Sequence, residues 1–99
     1  NMAAVVAQHI YRFGNIISAF ASSRNHSLTQ NVFTDLYKIQ SEMAPKSSVY
    51  GTALVYDINS NYKGLIPIRI DTNGWVSINS PWTGYDCWSV YFSITYTCD

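Results

Sequence analysis

Residues Met2–Ala21, MAAVVAQHIYRFGNIISAFA, determine how the rest of this chain is interpreted. Large apolar side chains recur in this stretch at alternating steps of four and three residues: Val6, Ile10, Phe13, Ile17 and Phe20. That spacing is typical of one face of an amphipathic α-helix. It predicts a helix over residues 2–21, about 30 Å long, whose apolar stripe needs a partner surface.

A shorter helix is predicted over residues 28–42. Val32, Leu36 and Ile39 follow one another at helical intervals within it. Pro45 ends this segment, because the residue before a proline is biased away from helical angles.

The apolar period changes to two from Val49 onward, and the alternation over residues 49–58 predicts a β-strand. A second strand is predicted over Leu65–Ile70. Pro67 within it indicates a sheet edge or a bulge, because proline has no amide hydrogen to donate. The Asn-Gly pair at 73–74 predicts a hairpin with a type I′ turn, after which Trp75–Ile78 returns as a strand.

The length of 99 residues predicts a single domain. We expect it to be α+β, with the long N-terminal helix packed on a small antiparallel sheet over residues 49–98 and the short second helix between them. Only 12% of the residues are charged, six basic and six acidic, which argues against a nucleic-acid partner. The abundance of aromatic and uncharged polar residues is typical of a secreted protein.

Cys87 and Cys98 favour one disulfide formed in an oxidising compartment. Eleven positions of straight strand would separate them by roughly 35 Å, whereas a disulfide needs Cα atoms about 5.5 Å apart. The bridge therefore requires the chain to reverse between them. One way to achieve this is an irregular or helical stretch over residues 87–91, with only residues 92–97 forming a strand.

Catalytic and metal-binding alternatives have little support in the residue pattern. Cys87 could serve as a nucleophile with His9 or His26 as base and Asp86 as the third group, but no sequence motif supports that arrangement. The histidines and cysteines lack metal-ligand spacing. We therefore expect a non-enzymatic protein with no catalytic residue, no metal and no cofactor.

The aromatic residues of the late loop are candidates for a binding surface. Trp75, Trp82, Tyr85 and Trp88 lie close together in the sequence, and exposed tryptophan or tyrosine often marks a protein or glycan contact. Trp75 and Trp88 could equally be core residues. Trp82, between Pro81 and Thr83, is the one expected to face solvent.

The order of these parts resembles the type IV pilin fold: a long N-terminal helix, a connecting segment, an antiparallel sheet and two cysteines that bracket the C-terminal region. The connecting segment SLTQNVFTDLYKIQSEMAP, residues 27–45, is similar to the short second helix of the type IVb pilins of enteric bacteria and conjugative plasmids. The sequence YDCWSV, residues 85–90, is similar to the point at which those pilins open their disulfide-bounded region.

The resemblance implies a truncated, soluble fragment of a structural pilus subunit, either a major or a minor pilin. Its missing upstream segment would anchor it in the inner membrane before assembly into an extracellular filament. Other pilin subunits would cover the apolar stripe, and the filament could contact a host or bacterial surface ligand in adhesion, aggregation or conjugation. Two alternatives are a type II secretion pseudopilin and a small secreted adhesin or toxin-B-like domain, which would bind a glycan or protein through Trp82 and its neighbours.

Overall fold

The computed structural model describes residues 4–24 and 28–98, and within them the chain is all-β. Seven antiparallel strands form one curled sheet in the spatial order β1-β2-β7-β4-β5-β6-β3. The strands are β1 (Ala4–Phe13), β2 (Ile16–Arg24), β3 (Phe33–Lys38), β4 (Val49–Tyr56), β5 (Tyr62–Ile70), β6 (Trp75–Asn79) and β7 (Ser89–Thr97). Two short 3-10 helices lie at Ser41–Met43 and Gly84–Cys87. No helix in these residues is long and apolar enough to cross a membrane. The expected α+β class is therefore wrong.

The N-terminal stretch is a β-hairpin rather than a helical spine. β1 pairs with β2 down to Phe13↔Ile16, so Gly14 and Asn15 form a two-residue loop. Gly14 has φ 63, and a two-residue hairpin loop with glycine first favours a positive φ at that position. The β-branched and aromatic residues on both sides of Gly14 favour strands.

The five residues of the predicted stripe do not share a face in this hairpin. Ile17 is wholly buried, whereas Phe13 is 68% and Phe20 45% exposed. Ile10 is half-buried, and Val6 lies in β1 with a side chain outside the described part of the chain. Side chains alternate between the two faces of a strand, so each step of three residues changes the face. A stripe with alternating steps of four and three therefore cannot lie on one strand face.

The predicted second helix is also wrong. Residues 33–38 form β3, which pairs with β6 from Phe33↔Asn79 to Lys38↔Trp75, and only Ser41–Met43 forms a short 3-10 helix. The helical spacing of a few apolar residues is a weak local signal, and pairing with a neighbouring strand overrides it.

The predicted strands of the second half are confirmed as β4, β5 and β6, and so is the hairpin between β5 and β6. Its turn differs from the prediction, because the positive φ of 91 belongs to Gly74 and not to Asn73. The Gly74 amide donates to the Asp71 carbonyl oxygen at 2.9 Å. The Asp71 carboxylate accepts hydrogen bonds from the amides of Asn73 and Trp75.

Pro67 was predicted to mark a sheet edge or a bulge, but β5 is an interior strand and its register shift with β4 falls between Val55 and Tyr56. The missing amide hydrogen of Pro67 is nevertheless accommodated by the pairing around it. Pro67 pairs with Thr52 of β4, whereas the ladder between β5 and β6 begins one residue later, at Ile68↔Ile78. At Pro67, β5 therefore pairs with β4 alone, and no hydrogen bond to β6 is lost through the missing amide hydrogen.

The inner face of the sheet is the hydrophobic core. It is built mainly from alternate residues of the central strands: Ala53, Val55, Ile66, Ile68, Ile70, Val76, Ile78, Val90 and Phe92. Two long connections add buried residues to it, Ile39 from residues 39–48 and Cys87 from residues 80–88. The other residues of the strands form the opposite surface, called the outer face below.

The predicted disulfide is also wrong, because Cys87 and Cys98 are both free thiols. β7 runs without interruption from Ser89 to Thr97, so the reversal that a bridge requires does not occur. Nine extended residues place the two cysteines at opposite ends of the sheet, roughly 30 Å apart. The Cys98 amide donates to the Asn15 carbonyl oxygen at the β1–β2 turn.

Candidate functional site

The three predicted binding residues do not converge on one surface. Trp75 begins β6, beside the β5–β6 turn, while Trp82 and Tyr85 follow the other end of that strand. Tyr85 is 66% exposed, and Trp75, on the outer face, is 36% exposed. The late loop therefore supplies separate aromatic contacts rather than a single aromatic surface.

Trp82 is half-buried and packs against the core instead of standing free in solvent. A Cβ atom added at Gly64 would lie 3.1 Å from its ring, and the Lys63 ammonium group is 5.7 Å from the ring centroid. The Ser80 hydroxyl accepts a hydrogen bond from the Trp82 amide and donates one to its carbonyl oxygen. These contacts fix the position of Trp82 and make it a packing residue.

Tyr85 and Trp88 help to attach the 80–88 connection to the sheet. Their rings are 5.6 Å apart in an edge-to-face arrangement. The Tyr85 carbonyl oxygen accepts from the Ile58 amide at 2.8 Å, and the Trp88 amide donates to the Tyr56 carbonyl oxygen at 3.0 Å. The connection thereby supports the end of β4, where an open cleft begins on the outer face.

We call this depression the tyrosine cleft; it is a cavity of about 390 Å³ lined by Leu54, Tyr56, Ser60, Ser89 and Tyr91. Cross-strand register brings its walls together, because Leu54 pairs with Tyr91 and Tyr56 pairs with Ser89. The Tyr56 and Tyr91 rings are 5.7 Å apart, edge to face. The cleft therefore combines aromatic faces with hydroxyl groups that can donate and accept hydrogen bonds.

The turn that carries Ser60 is organised by Asp57. The Asp57 carboxylate accepts hydrogen bonds from the amides of Asn59 and Asn61, at 2.9 and 2.8 Å. The hydrogen bond from the Asn61 amide is the main reason that the pKa of Asp57 is lowered from its ordinary value. Ser60 has φ 66 and donates its amide to the Asp57 carbonyl oxygen, and this turn places Ser60 in the lining of the cleft.

Tyr91 lies at the centre of the outer face, where three depressions meet. Besides the tyrosine cleft, it lines a cavity of about 330 Å³ with Thr52, Leu65 and Ser93, and one of about 220 Å³ with Phe20 and His9. The residues that line these three depressions include no Asp, Glu, Lys or Arg, and one histidine, His9. A continuous uncharged surface with aromatic and hydroxyl groups suits a neutral, hydroxyl-rich ligand.

The catalytic alternative built on Cys87 is opposed by the geometry. The Cys87 side chain is wholly buried, and burial raises the pKa of its thiol, although a hydrogen bond with Ser80 partly offsets this. A nucleophilic cysteine needs a lowered pKa and access to substrate. His9 belongs to β1, which is separated by β2 from β7, the strand that follows Cys87, and His26 lies outside the described residues.

Sequence reasoning missed the tyrosine cleft, although part of its signal was visible. The alternation in residues 49–58 already places Leu54 and Tyr56 on one strand face. Tyr91 and Ser89 come from the C-terminal strand, and nothing local in the sequence says that β7 lies between β2 and β4. The cleft therefore depends on a long-range pairing register.

No protein-family model matches the chain, and a search of curated proteins finds no match. Among solved structures, the chain is similar to the head domain of phage bIL170, from a study that asks whether the receptor-binding domains of lactococcal phages share a common fold. The TM-score is 0.74 at 11% sequence identity, and the match covers 94% of this chain and 84% of that one. This similarity concerns the fold alone. Together with the absence of an α-helix from the described residues, it overturns the resemblance to type IV pilins and removes the support for pilin subunits as partners.

Proposed function

We propose that this chain is a small, non-enzymatic binding domain that recognises a saccharide on a cell surface through the tyrosine cleft. The observation that carries the proposal is the meeting of three uncharged depressions at Tyr91, with the Tyr56 ring beside it and serine hydroxyls at the rim. Sugar rings present apolar C–H faces to aromatic side chains and hydroxyl groups to hydroxyl partners, and the cleft offers both.

The fold supports a binding role of this general kind, because the similar phage head domain comes from work on receptor-binding domains. Composition points the same way. With 12% charged residues and no net charge, the domain has little electrostatic means of attracting a polyanion or a membrane surface. Recognition would therefore depend on shape, aromatic packing and neutral hydrogen bonds, and we place the domain outside the cell, where surface saccharides are found.

The proposal is tested by screening the purified chain on a printed array of neutral and acidic oligosaccharides, followed by calorimetric titration of the strongest ligands. Truncation of a central contact residue commonly weakens binding by about tenfold or more. Tyr91→Ala should do so. Tyr11→Ala is the matched control, because Tyr11 is 51% exposed against 42% for Tyr91 and lines none of the three depressions.

Two results would overturn the proposal. One is the absence of binding to any saccharide on the array by a chain whose folding has been verified by its circular dichroism. The other is an equal loss of affinity in Tyr91→Ala and Tyr11→Ala, which would mean that Tyr91 contributes nothing specific.

A further inference from the structure

The outer face carries a cation, Arg69, that lines none of the three depressions at Tyr91. Arg69 of β5 points outward next to Tyr50 of β4, its partner in the register, and it is half-buried. Its guanidinium carbon lies 4.4 Å from the centroid of the Phe33 ring, and the Phe33 and Tyr50 rings are 6.2 Å apart, edge to face. The Phe33 ring, which itself packs against Tyr50, therefore holds this charge in a defined place.

The hydrogen-bonding capacity of Arg69 is largely unused by the described residues. One terminal nitrogen donates to the Ser77 hydroxyl at 3.4 Å, a long contact, and the buried Nε has no partner. No carboxylate among the described residues forms an ion pair with it. A partly desolvated guanidinium with unfilled donors is costly, and an oxyanion is its natural partner because it accepts two parallel hydrogen bonds from the planar fork.

Asp35 is an acid in the same cross-strand row as Arg69. It pairs with Ser77 of β6, which in turn pairs with Arg69, so it lies two strands away in the same row of the outer face. Asp35 is exposed and makes no ion pair with Arg69. It therefore leaves the guanidinium unneutralised.

Strand β4 connects Arg69 to the tyrosine cleft, because Tyr50 near its start pairs with Arg69 and Tyr56 at its end lines the cleft. Tyr50, Thr52, Leu54 and Tyr56 all point outward from β4, and the depression lined by Thr52 and Leu54 lies between the two ends. Six residues of extended strand separate Tyr50 from Tyr56, which is roughly 20 Å. That distance spans several sugar rings.

We propose that Arg69, positioned by Phe33 and by the buried Ser77 and lying beside Tyr50, forms a subsite for an oxyanion group, carboxylate or phosphate. The oxyanion would be carried by an extended saccharide whose neutral part occupies the tyrosine cleft. This inference rests on the proposed function for the neutral part of the ligand. The anion subsite itself can be tested separately, with small probes that do not need the cleft.

The first test uses the NMR signals of the arginine Nε–H groups in the ¹⁵N-labelled chain, with the Arg69 signal assigned by its loss in Arg69→Gln. Glucuronic acid and glucose 6-phosphate supply the two oxyanions, and glucose is the neutral reference. We expect the Arg69 signal to move with at least one acidic sugar and not with glucose, while the Arg12 signal stays in place. A stationary Arg69 signal in both acidic titrations overturns the subsite, whether or not the tyrosine cleft binds sugar.

The second test compares affinities for acidic and neutral oligosaccharides of equal length. Arg69→Gln should weaken binding of the acidic ligand on the order of 10- to 100-fold and leave the neutral ligand unchanged, because it removes a charge-assisted hydrogen bond. Arg69→Lys should recover only part of the loss, since lysine lacks the planar fork. Asp35→Asn should leave acidic binding equal or stronger.

Arg12→Gln is the matched control, because it removes the same charge from an exposed residue of β1. If Arg12→Gln and Arg69→Gln lose equal affinity for the acidic oligosaccharide, the loss comes from the change in net charge, and the subsite is refuted. If neutral oligosaccharides bind and Arg69→Gln leaves the affinity for the acidic oligosaccharide unchanged, the subsite is refuted and the proposed function stands.

Discussion

The Tyr96 hydroxyl provides a quantitative test of how the 39–48 connection is attached to the sheet. It donates to the Met43 carbonyl oxygen at 2.7 Å, and the side chain is 6% exposed. Burial, with a smaller contribution from the charge of Cys98, raises the pKa of Tyr96 from 10.0 to about 12. The folded state therefore holds this proton more tightly than the unfolded chain does.

The sign of the pH dependence follows from that difference. Because the pKa is higher in the folded state, the stabilisation is complete below about pH 10 and is lost as the pH rises toward about 12. At about pH 11 the loss from this one group is about 1.4 kcal/mol. Tyr96→Phe does not suffer this loss, but it costs about 1 kcal/mol at neutral pH because the Met43 carbonyl oxygen loses its donor.

The wild-type chain should therefore be the more stable near about pH 8, and the difference should vanish or reverse near about pH 11. Urea unfolding followed by tryptophan fluorescence measures both free energies of unfolding. Tyr85→Phe, which removes an exposed hydroxyl, is the control and should stay within about 0.5 kcal/mol of the wild type throughout. A difference between wild type and Tyr96→Phe that stays constant over this pH range would refute the reasoning.

Two further predictions concern the turns and the thiols. Gly74→Ala should lower the free energy of unfolding by about 2 to 4 kcal/mol, because Gly74 has a positive φ and an added Cβ would lie 2.8 Å from the Ile39 carbonyl oxygen. Gly14→Ala is the control and should cost about 1 to 2 kcal/mol, because Gly14 also has a positive φ but its added Cβ would meet nothing within 4 Å. Equal losses of unfolding free energy in urea for the two variants would contradict the contact with Ile39. A thiol reagent should label Cys98 in the native chain and Cys87 only after unfolding, and dithiothreitol should leave the melting temperature unchanged. Protection of both thiols under native conditions, or a melting temperature that falls on reduction, would argue against this arrangement.

The parts of the fold that sequence reasoning predicted correctly are those specified by neighbouring residues. The period-two alternation at residues 49–58 predicted β4, and the Asn-Gly pair at 73–74 predicted the β5–β6 hairpin. The Gly14-Asn15 pair between two apolar runs is a hairpin signal of the same kind. The spacing of five apolar residues in the same stretch matches a helical period equally well, and that spacing predicted a helix instead.

The sequence by itself determined that the chain has antiparallel strands in its second half, a low charge density and a high content of aromatic residues. Only the tertiary structure decided the class of the N-terminal stretch, the separation of Cys87 from Cys98 and the meeting of Tyr56 with Tyr91. The physical reason is that a turn or an alternation is set by a few adjacent residues. The place of β7 between β2 and β4 is set instead by the burial of one whole sheet face, and that is a property of the assembled chain.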